Sequence, residues 1–299
     1  MNQLSRYPSP LRYPGGKGKI SNFVKLVMLQ NDLVGRDYVE PYAGGASVAL
    51  SLLYEGYTDH VFINDLNPGV FAFWKSVVEE TDALCSLIEN TPVTLGEWHG
   101  QREVLESSDS SHLDVGFATF FLNRTNRSGI IGGGVIGGLD QTGPWKIDAR
   151  YNKESLISRI KVGRNRTRIT VTNEDAVEFV ARWYDPDQDR AFLYLDPPYF
   201  EKGEGLYDNF YDPDDHAKIA KAVESINHSW IVSYDARPEI VRLYPDAQQI
   251  RYGLSYSANH ARGRGSEIMF FSGELHIPSL GPSGIASSEV DAAKRAAQD

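Results

Sequence analysis

The sequence predicts an α/β protein: a mostly parallel sheet flanked by helices and interrupted by an inserted lobe. Two observations predict it. Short apolar strands alternate with helix-period segments toward both ends of the chain, and such alternation builds parallel sheets. Between Thr81 and Arg166 the alternation is lost, and a glycine cluster (Gly132 to Gly134, Gly137 and Gly138) stands among polar and basic residues.

The elements follow in order. Ile20, Phe23, Val24, Val27 and Met28 recur at helical spacing. Tyr38 to Glu40 reads as a short strand running into the turn Pro41–Gly45, and Ala46 to Tyr54 reads as a helix rich in Ala, Leu and Val. Val61 to Ile63 is a second strand, ended by Asn64 and Asp65, and a helix follows Pro68. Later strands are expected at Arg168–Thr172, Ala191–Leu195, Trp230–Ser233 and Ile268–Phe271, with helices at His216–Ser225 and Pro238–Leu243. The expected organisation is a discontinuous catalytic domain, residues 1–80 and 167–276, around an inserted lobe, residues 81–166. The stretch 277–299, rich in Ser, Ala, Gly and Pro, is expected to be a frayed or disordered tail.

Composition narrows the function classes. The 299 residues suit one large domain with an insertion. No stretch approaches the roughly 20 apolar residues of a membrane span, and the N-terminus lacks the apolar run of a signal peptide, so a cytoplasmic chain with no membrane partner is expected. Cys85 is the single cysteine, which excludes an internal disulfide, and no Cys/His cluster suggests a metal. Cys85 is expected inside a helix as a small packed residue, not as a nucleophile.

The net charge of -10 argues against binding nucleic acid with the whole surface. The distribution is uneven. Between Arg124 and Arg168, many Arg and Lys residues face only Asp140, Asp148 and Glu154, and the N-terminal stretch through Lys25 is basic with no acid. An acidic body with local basic strips suits a protein that grips a polyanion on one face, and also suits solvated helix faces. Arg124, Arg127, Lys146 and Arg150 are the candidates for DNA contact.

Three segments carry chemistry. In Leu193 to Tyr199 an apolar strand delivers Asp196, Pro197, Pro198 and Tyr199 at its carboxyl end, where ligands sit in open α/β sheets. The prolines supply no amide hydrogens, so nearby carbonyls stay free as acceptors. A carboxylate, a carbonyl and an aromatic face together hold a planar amino-bearing ring and favour its nitrogen as nucleophile. The same tetrapeptide also serves as a plain strand-ending turn. The second segment is Tyr38 to Ala46, where Gly44 and Gly45 let a ligand approach the backbone, with Asp65 at the next strand's tip placed for ribose hydroxyls. The G-x-G-x-x-G order of dinucleotide folds is absent. The third is Arg12 to Lys17, a glycine pair before a lysine that lacks the full phosphate-loop spacing.

RYPGGK, EPYAGGA, NDLNP and DPPY, in that order, resemble the Dam-like, class alpha, adenine DNA methyltransferases. The resemblance runs from Leu11 to Phe271 and extends to Phe120–Gly129 in the lobe and to Tyr256–Ala258 with Glu267. It implies a Rossmann-like fold with S-adenosylmethionine in its crevice and the lobe as target-recognition region. Tyr13 and Lys17 match the family's N-terminal cofactor residues, Glu40, Pro41, Gly44 and Gly45 its cofactor loop, and Asp65 its ribose acid. Asp175, near the end of a strand, is expected near the cofactor's adenine. Asp196 to Tyr199 match the catalytic tetrapeptide, with Asp196 also at the cofactor. The lobe departs from the family in its glycines, so the target sequence is not carried over.

The implied partner is double-stranded DNA, from which one adenine is flipped out. A separately encoded restriction nuclease is compatible with this role, and a monomer is expected. Three alternatives stay open: cytosine amino methylation, RNA methylation, and a DNA-binding protein that has lost catalysis. Asp196, by the same resemblance, favours adenine over cytosine.

Overall fold

The computed structural model describes residues 9–12, 17–162, 167–184, 191–200, 211–254, 265–279, 281–282 and 284–297. Seven strands form one sheet in the order β3-β2-β1-β4-β5-β7-β6. They are β1 (Asp37–Glu40), β2 (Val61–Asn64), β3 (Ile169–Thr172), β4 (Ala191–Leu195), β5 (Ser229–Asp235), β6 (Gln248–Leu254) and β7 (Gly265–Phe271). The pairs among β1 to β5 are parallel, whereas β7 runs antiparallel between β5 and β6. The predicted strands are all present. Strand β6 is a departure from the sequence reading: its residues, Gln248 to Leu254, are polar enough to read as loop, and pairing with β7 at the sheet edge decides their conformation.

Helices cover both faces. One is covered by α1 (Ser21–Gln30), α2 (Ser47–Tyr54) and α3 (Pro68–Glu79), the other by α8 (Ala176–Ala181), α9 (Pro213–Glu224) and α10 (Pro238–Val241). The period-2 rule divides β4 between them: Phe192 and Tyr194 enter the first core, Leu193 and Leu195 the second. All five β4 residues are buried, as a central parallel strand requires.

The insertion is helical at both ends: α4 (Thr81–Asn90), α5 (Leu95–Glu106), α6 (His112–Thr125) and, beyond the glycine-rich loops, α7 (Lys153–Val162). It is not a separately cored lobe. Phe120 of α6 stacks on Phe73 of α3 at 5.8 Å, and a side chain at Gly116 would sit 2.7 Å from the Ala72 carbonyl oxygen, so the two helices pack nearly backbone to backbone. Cys85 is buried in α4, as expected.

The tail also departs from expectation. Ser287–Ala296 forms α11, which packs on α1 with Val290 only 2% exposed. Its small and polar residues hid an amphipathic helix whose stability comes from docking.

Candidate active site

The strand order reverses direction between β1 and β4, the switch point where α/β sheets bind ligands. Four strand ends converge on the carboxyl edge and deliver Glu40, Asn64, Asp65, Asp175 and Asp196. The loop after β1 turns sharply. Gly44 has φ 46° and Ala46, at the cap of α2, is also left-handed at φ 46°. A non-glycine residue held there stores strain of about 1–3 kcal/mol, which the surroundings must over-determine. They do. Asp65 Oδ2 accepts from the Gly44 amide at 2.8 Å, the Trp74 indole donates to the Gly44 carbonyl at 2.8 Å, and the Ala43 amide donates to the Asn64 carbonyl at 2.8 Å. The Asn64 side chain donates to the carbonyls of Pro41 and Glu174 and accepts from the Glu174 amide and the Thr172 hydroxyl. Three loops are thus knotted through one buried amide. Sequence reading took Asn64 only as a strand end.

Two acids lining this loop are electrostatically unusual. Burial first, then the charge of Asp196, pushes the Glu40 carboxyl well above the usual range, and Glu40 Oε2 is a buried acceptor with no hydrogen-bond partner among the described residues. Burial also raises Asp65 to about 6, against the amides of Asn67 and Gly44, which favour its charged form. An orphaned carboxyl oxygen beside a second carboxylate suits a ligand carrying positive charge and hydrogen-bond donors. S-adenosylmethionine has both, so the residues present fit it.

Asp196 follows β4 and is half-buried. Its Oδ1 accepts from the Ser233 hydroxyl at 2.7 Å, and that hydroxyl bonds Tyr194 at 2.7 Å. Lys17, 5% exposed, places its ammonium 3.1 Å from the same Oδ1. The ammonium also donates to the Tyr199 hydroxyl, lies 4.7 Å from the centroid of that ring, and stands 3.6 Å from Glu267. Tyr199 in turn donates to Glu267 Oε2 at 2.6 Å. Pro197 is buried and Pro198 half-buried, and the Phe200 amide donates to Asp235. Ser233 carries no motif signal; its place on β5, the strand beside β4, brings it here, while Tyr194 lies on β4 itself and Glu267, two strands away on β7, belongs to the segment that extends the resemblance.

Of the predicted cofactor residues, Lys17, Glu40, Pro41, Gly44, Gly45, Asp65 and Asp196 meet at this edge. Asp175 is exposed and caps α8 by accepting from Val177, while neighbouring Glu174 pairs with Arg182. Tyr13 and Tyr256–Ala258 lie outside the described residues.

The candidate DNA residues separate into two kinds. Arg124 is tied down: it donates to the Arg150 and Pro10 carbonyls, and burial with Arg12, Arg159 and Arg150 nearby lowers its pKa to about 9. Arg12 bonds the Asn126 carbonyl and Arg159 the Ser9 carbonyl, so this cluster clamps the N-terminal segment to the insertion. Arg127, Lys146 and Arg150 are exposed, with Arg150 5.9 Å from the ring of Trp145, itself 66% exposed. Among the described residues no group of His, Cys, Asp or Glu could hold a metal ion. No described helix is long and apolar enough to cross a membrane.

The model of the D12 class N6 adenine-specific DNA methyltransferases matches residues 13–257, which includes every element of this site up to β6. The chain belongs to that family. This methyltransferase has the Rossmann-like fold that its topology describes. No curated protein matches its sequence. Among solved structures it is similar to a candidate RNA methyltransferase of Pyrococcus horikoshii, at 9% identity and TM-score 0.43, covering 88% of this chain and 87% of that one. It is also similar to the ribosomal RNA methyltransferase AviRa of Streptomyces viridochromogenes, at 12% identity and TM-score 0.37, covering 86% and 84%. A modification subunit of a candidate type I restriction enzyme from Vibrio vulnificus gives 9% identity and TM-score 0.37, covering 92% of this methyltransferase and 51% of the subunit. These likenesses are too distant to bear on its substrate.

Proposed function

We propose that the methyltransferase modifies the N6 amino group of adenine in duplex DNA, with S-adenosylmethionine as methyl donor. One observation carries the reading: the Asp196 carboxylate, braced by Ser233, stands at the switch point beside the orphaned Glu40 and the buried face of Tyr199. That arrangement pairs an amine acceptor and a stacking ring with a cradle for a cation.

When bound, S-adenosylmethionine supplies the activated methyl group, so the protein's work is positioning. Asp65 and the Gly44 turn hold the ribose side, and Glu40 accepts a donor of the methionine portion. Asp175, at the edge, faces the cofactor's adenine. On the substrate side, Tyr199 stacks on an adenine flipped from the duplex. Asp196 and the Pro197 carbonyl accept from its amino group and hold the nitrogen lone pair toward the methyl carbon. Transfer would exchange the methyl's bond to sulfur for one to nitrogen, with S-adenosylhomocysteine leaving as a neutral thioether, and the Asp196 carboxylate would stabilise the positive nitrogen until it loses a proton.

The insertion is the target-recognition region in this reading. Its cluster of guanidiniums has no carboxylate partner among the described residues, and Arg127, Lys146 and Arg150 are exposed to meet phosphates. The enzyme acts in the cytoplasm as a monomer, and a separately encoded restriction nuclease is compatible with that role. The test is incubation with mixed-sequence duplex DNA, or RNA, and methyl-labelled S-adenosylmethionine, then digestion to nucleosides. Label in N6-methyl-2'-deoxyadenosine, lost in Asp196→Ala, is the expected result. Label in cytosine or only in RNA overturns it.

A further inference from the structure

Glu267 is a charged residue in the middle of a sheet. It lies on β7, opposite Asp235 of β5 on one side and Tyr252 of β6 on the other, and is 1% exposed. A carboxylate buried there is strongly disfavoured unless it is paired and hydrogen-bonded. Both conditions are met by catalytic-edge residues: its Oε2 accepts from the Tyr199 hydroxyl at 2.6 Å and stands 3.6 Å from the Lys17 ammonium. Lys17 is itself shared, being 3.1 Å from Asp196 Oδ1. One cation therefore sits between two carboxylates, and one tyrosine hydroxyl sits between the cation and Glu267.

The geometry has consequences for both catalytic groups. A stacking ring must present a fixed face. Tyr199 is anchored at its far end by the bond to Glu267, so ring rotation is restricted at both ends of the side chain. Asp196 must stay electron-rich to accept from an amine. A lysine paired with it alone would neutralise it, whereas a second anion within reach divides the lysine's attraction.

We propose that Glu267 is a positioning residue for methyl transfer, fixing the Tyr199 ring through its hydroxyl and holding Lys17 between itself and Asp196. The proposal rests on the adenine reading above. Glu267→Gln preserves shape and an acceptor oxygen but removes the charge that strengthens the bond from Tyr199, and Tyr199→Phe removes that bond from the other end. Both are measured by transfer of labelled methyl to mixed-sequence duplex DNA, with cofactor KM and melting temperature determined in parallel. In Glu267→Gln, kcat falls about tenfold to a hundredfold, the scale of a misplaced reacting group, while cofactor KM moves far less and the melting temperature holds. Glu267→Gln added to Tyr199→Phe lowers kcat less than the two separate losses multiplied together. An unchanged kcat in an active wild-type background overturns the proposal and leaves the adenine reading intact. So does a loss that only tracks melting temperature, or one that multiplies independently with Tyr199→Phe. A wild-type protein that labels neither DNA nor RNA overturns both.

Discussion

The carboxylate of Asp65 accepts the amide of Gly44 at 2.8 Å, one of the bonds that tie the tip of β2 to the turn after β1. Its raised pKa, about 6, makes the tie and the ribose contact proposed for it titratable in an accessible range. The raised value means that the carboxyl is protonated below about 6 and charged above it. Ribose hydroxyls need the charged form as acceptor. Cofactor affinity, measured by calorimetry, is therefore expected to be constant above neutrality and to fall as pH drops through that value, by up to about tenfold per pH unit. Asp65→Asn is expected to weaken binding at neutral pH and to flatten the profile.

Ser233 hands one hydrogen bond from Tyr194 to Asp196. Ser233→Ala frees the carboxylate to rotate and leaves a buried tyrosine hydroxyl without its partner. The expected cost is about 1–3 kcal/mol in unfolding free energy, with a loss in kcat that exceeds any change in cofactor KM. Denaturant titration and steady-state kinetics separate the two effects.

Gly129 lies under the N-terminal segment at φ 79°, where a Cβ would come 2.0 Å from the Arg12 carbonyl oxygen. Asn123 seals the same contact, accepting from the Arg12 amide and donating to its carbonyl and that of Gly129. Gly129→Ala is expected to detach this segment from α6. A melting temperature lowered by several degrees and weakened cofactor binding, through Lys17, are the readouts; a variant with both unchanged refutes the role.

Arg124 and Trp145 should behave oppositely, although both belong to the basic insertion. Arg124 is engaged by carbonyls, so Arg124→Ala lowers stability and DNA binding together. Trp145 is exposed beside Arg150, so Trp145→Ala leaves the melting temperature unchanged and weakens DNA binding alone. Quenching of indole fluorescence on adding duplex DNA, lost in Trp145→Ala, checks the contact directly.

Much of this was legible beforehand because local physics wrote it. Apolar runs of strand length specified six of the seven strands, and Pro68 marked the entry to α3, which the Asn67 side chain caps. The motifs likewise named Lys17, Glu40, Asp65 and Asp196; the three acids are the chemistry that a strand's carboxyl end presents, whereas Lys17 stands in the turn before α1. Where the reading went astray, the deciding force was non-local. Strand β6 exists because β7 offers it an edge, and α11 exists because α1 and Tyr57 offer a surface, with Lys294 4.9 Å from that ring. Charge counting could not tell that Arg124 faces carbonyls rather than solvent.

By itself, then, the sequence determined the α/β class, the order of the motifs and the candidate catalytic carboxylate, because these depend on residue type and near-neighbour spacing. The tertiary structure alone decided which groups brace that carboxylate. Lys17, Asp196, Ser233 and Glu267 come from four distant stretches of chain; the pairing of β4 with β5 and of β5 with β7 sets the last three side by side, so that Ser233 bonds Asp196 and Lys17 stands between Asp196 and Glu267. Hydrogen bonds and ion pairs act over a few ångströms of space, and separation along the chain carries no record of them.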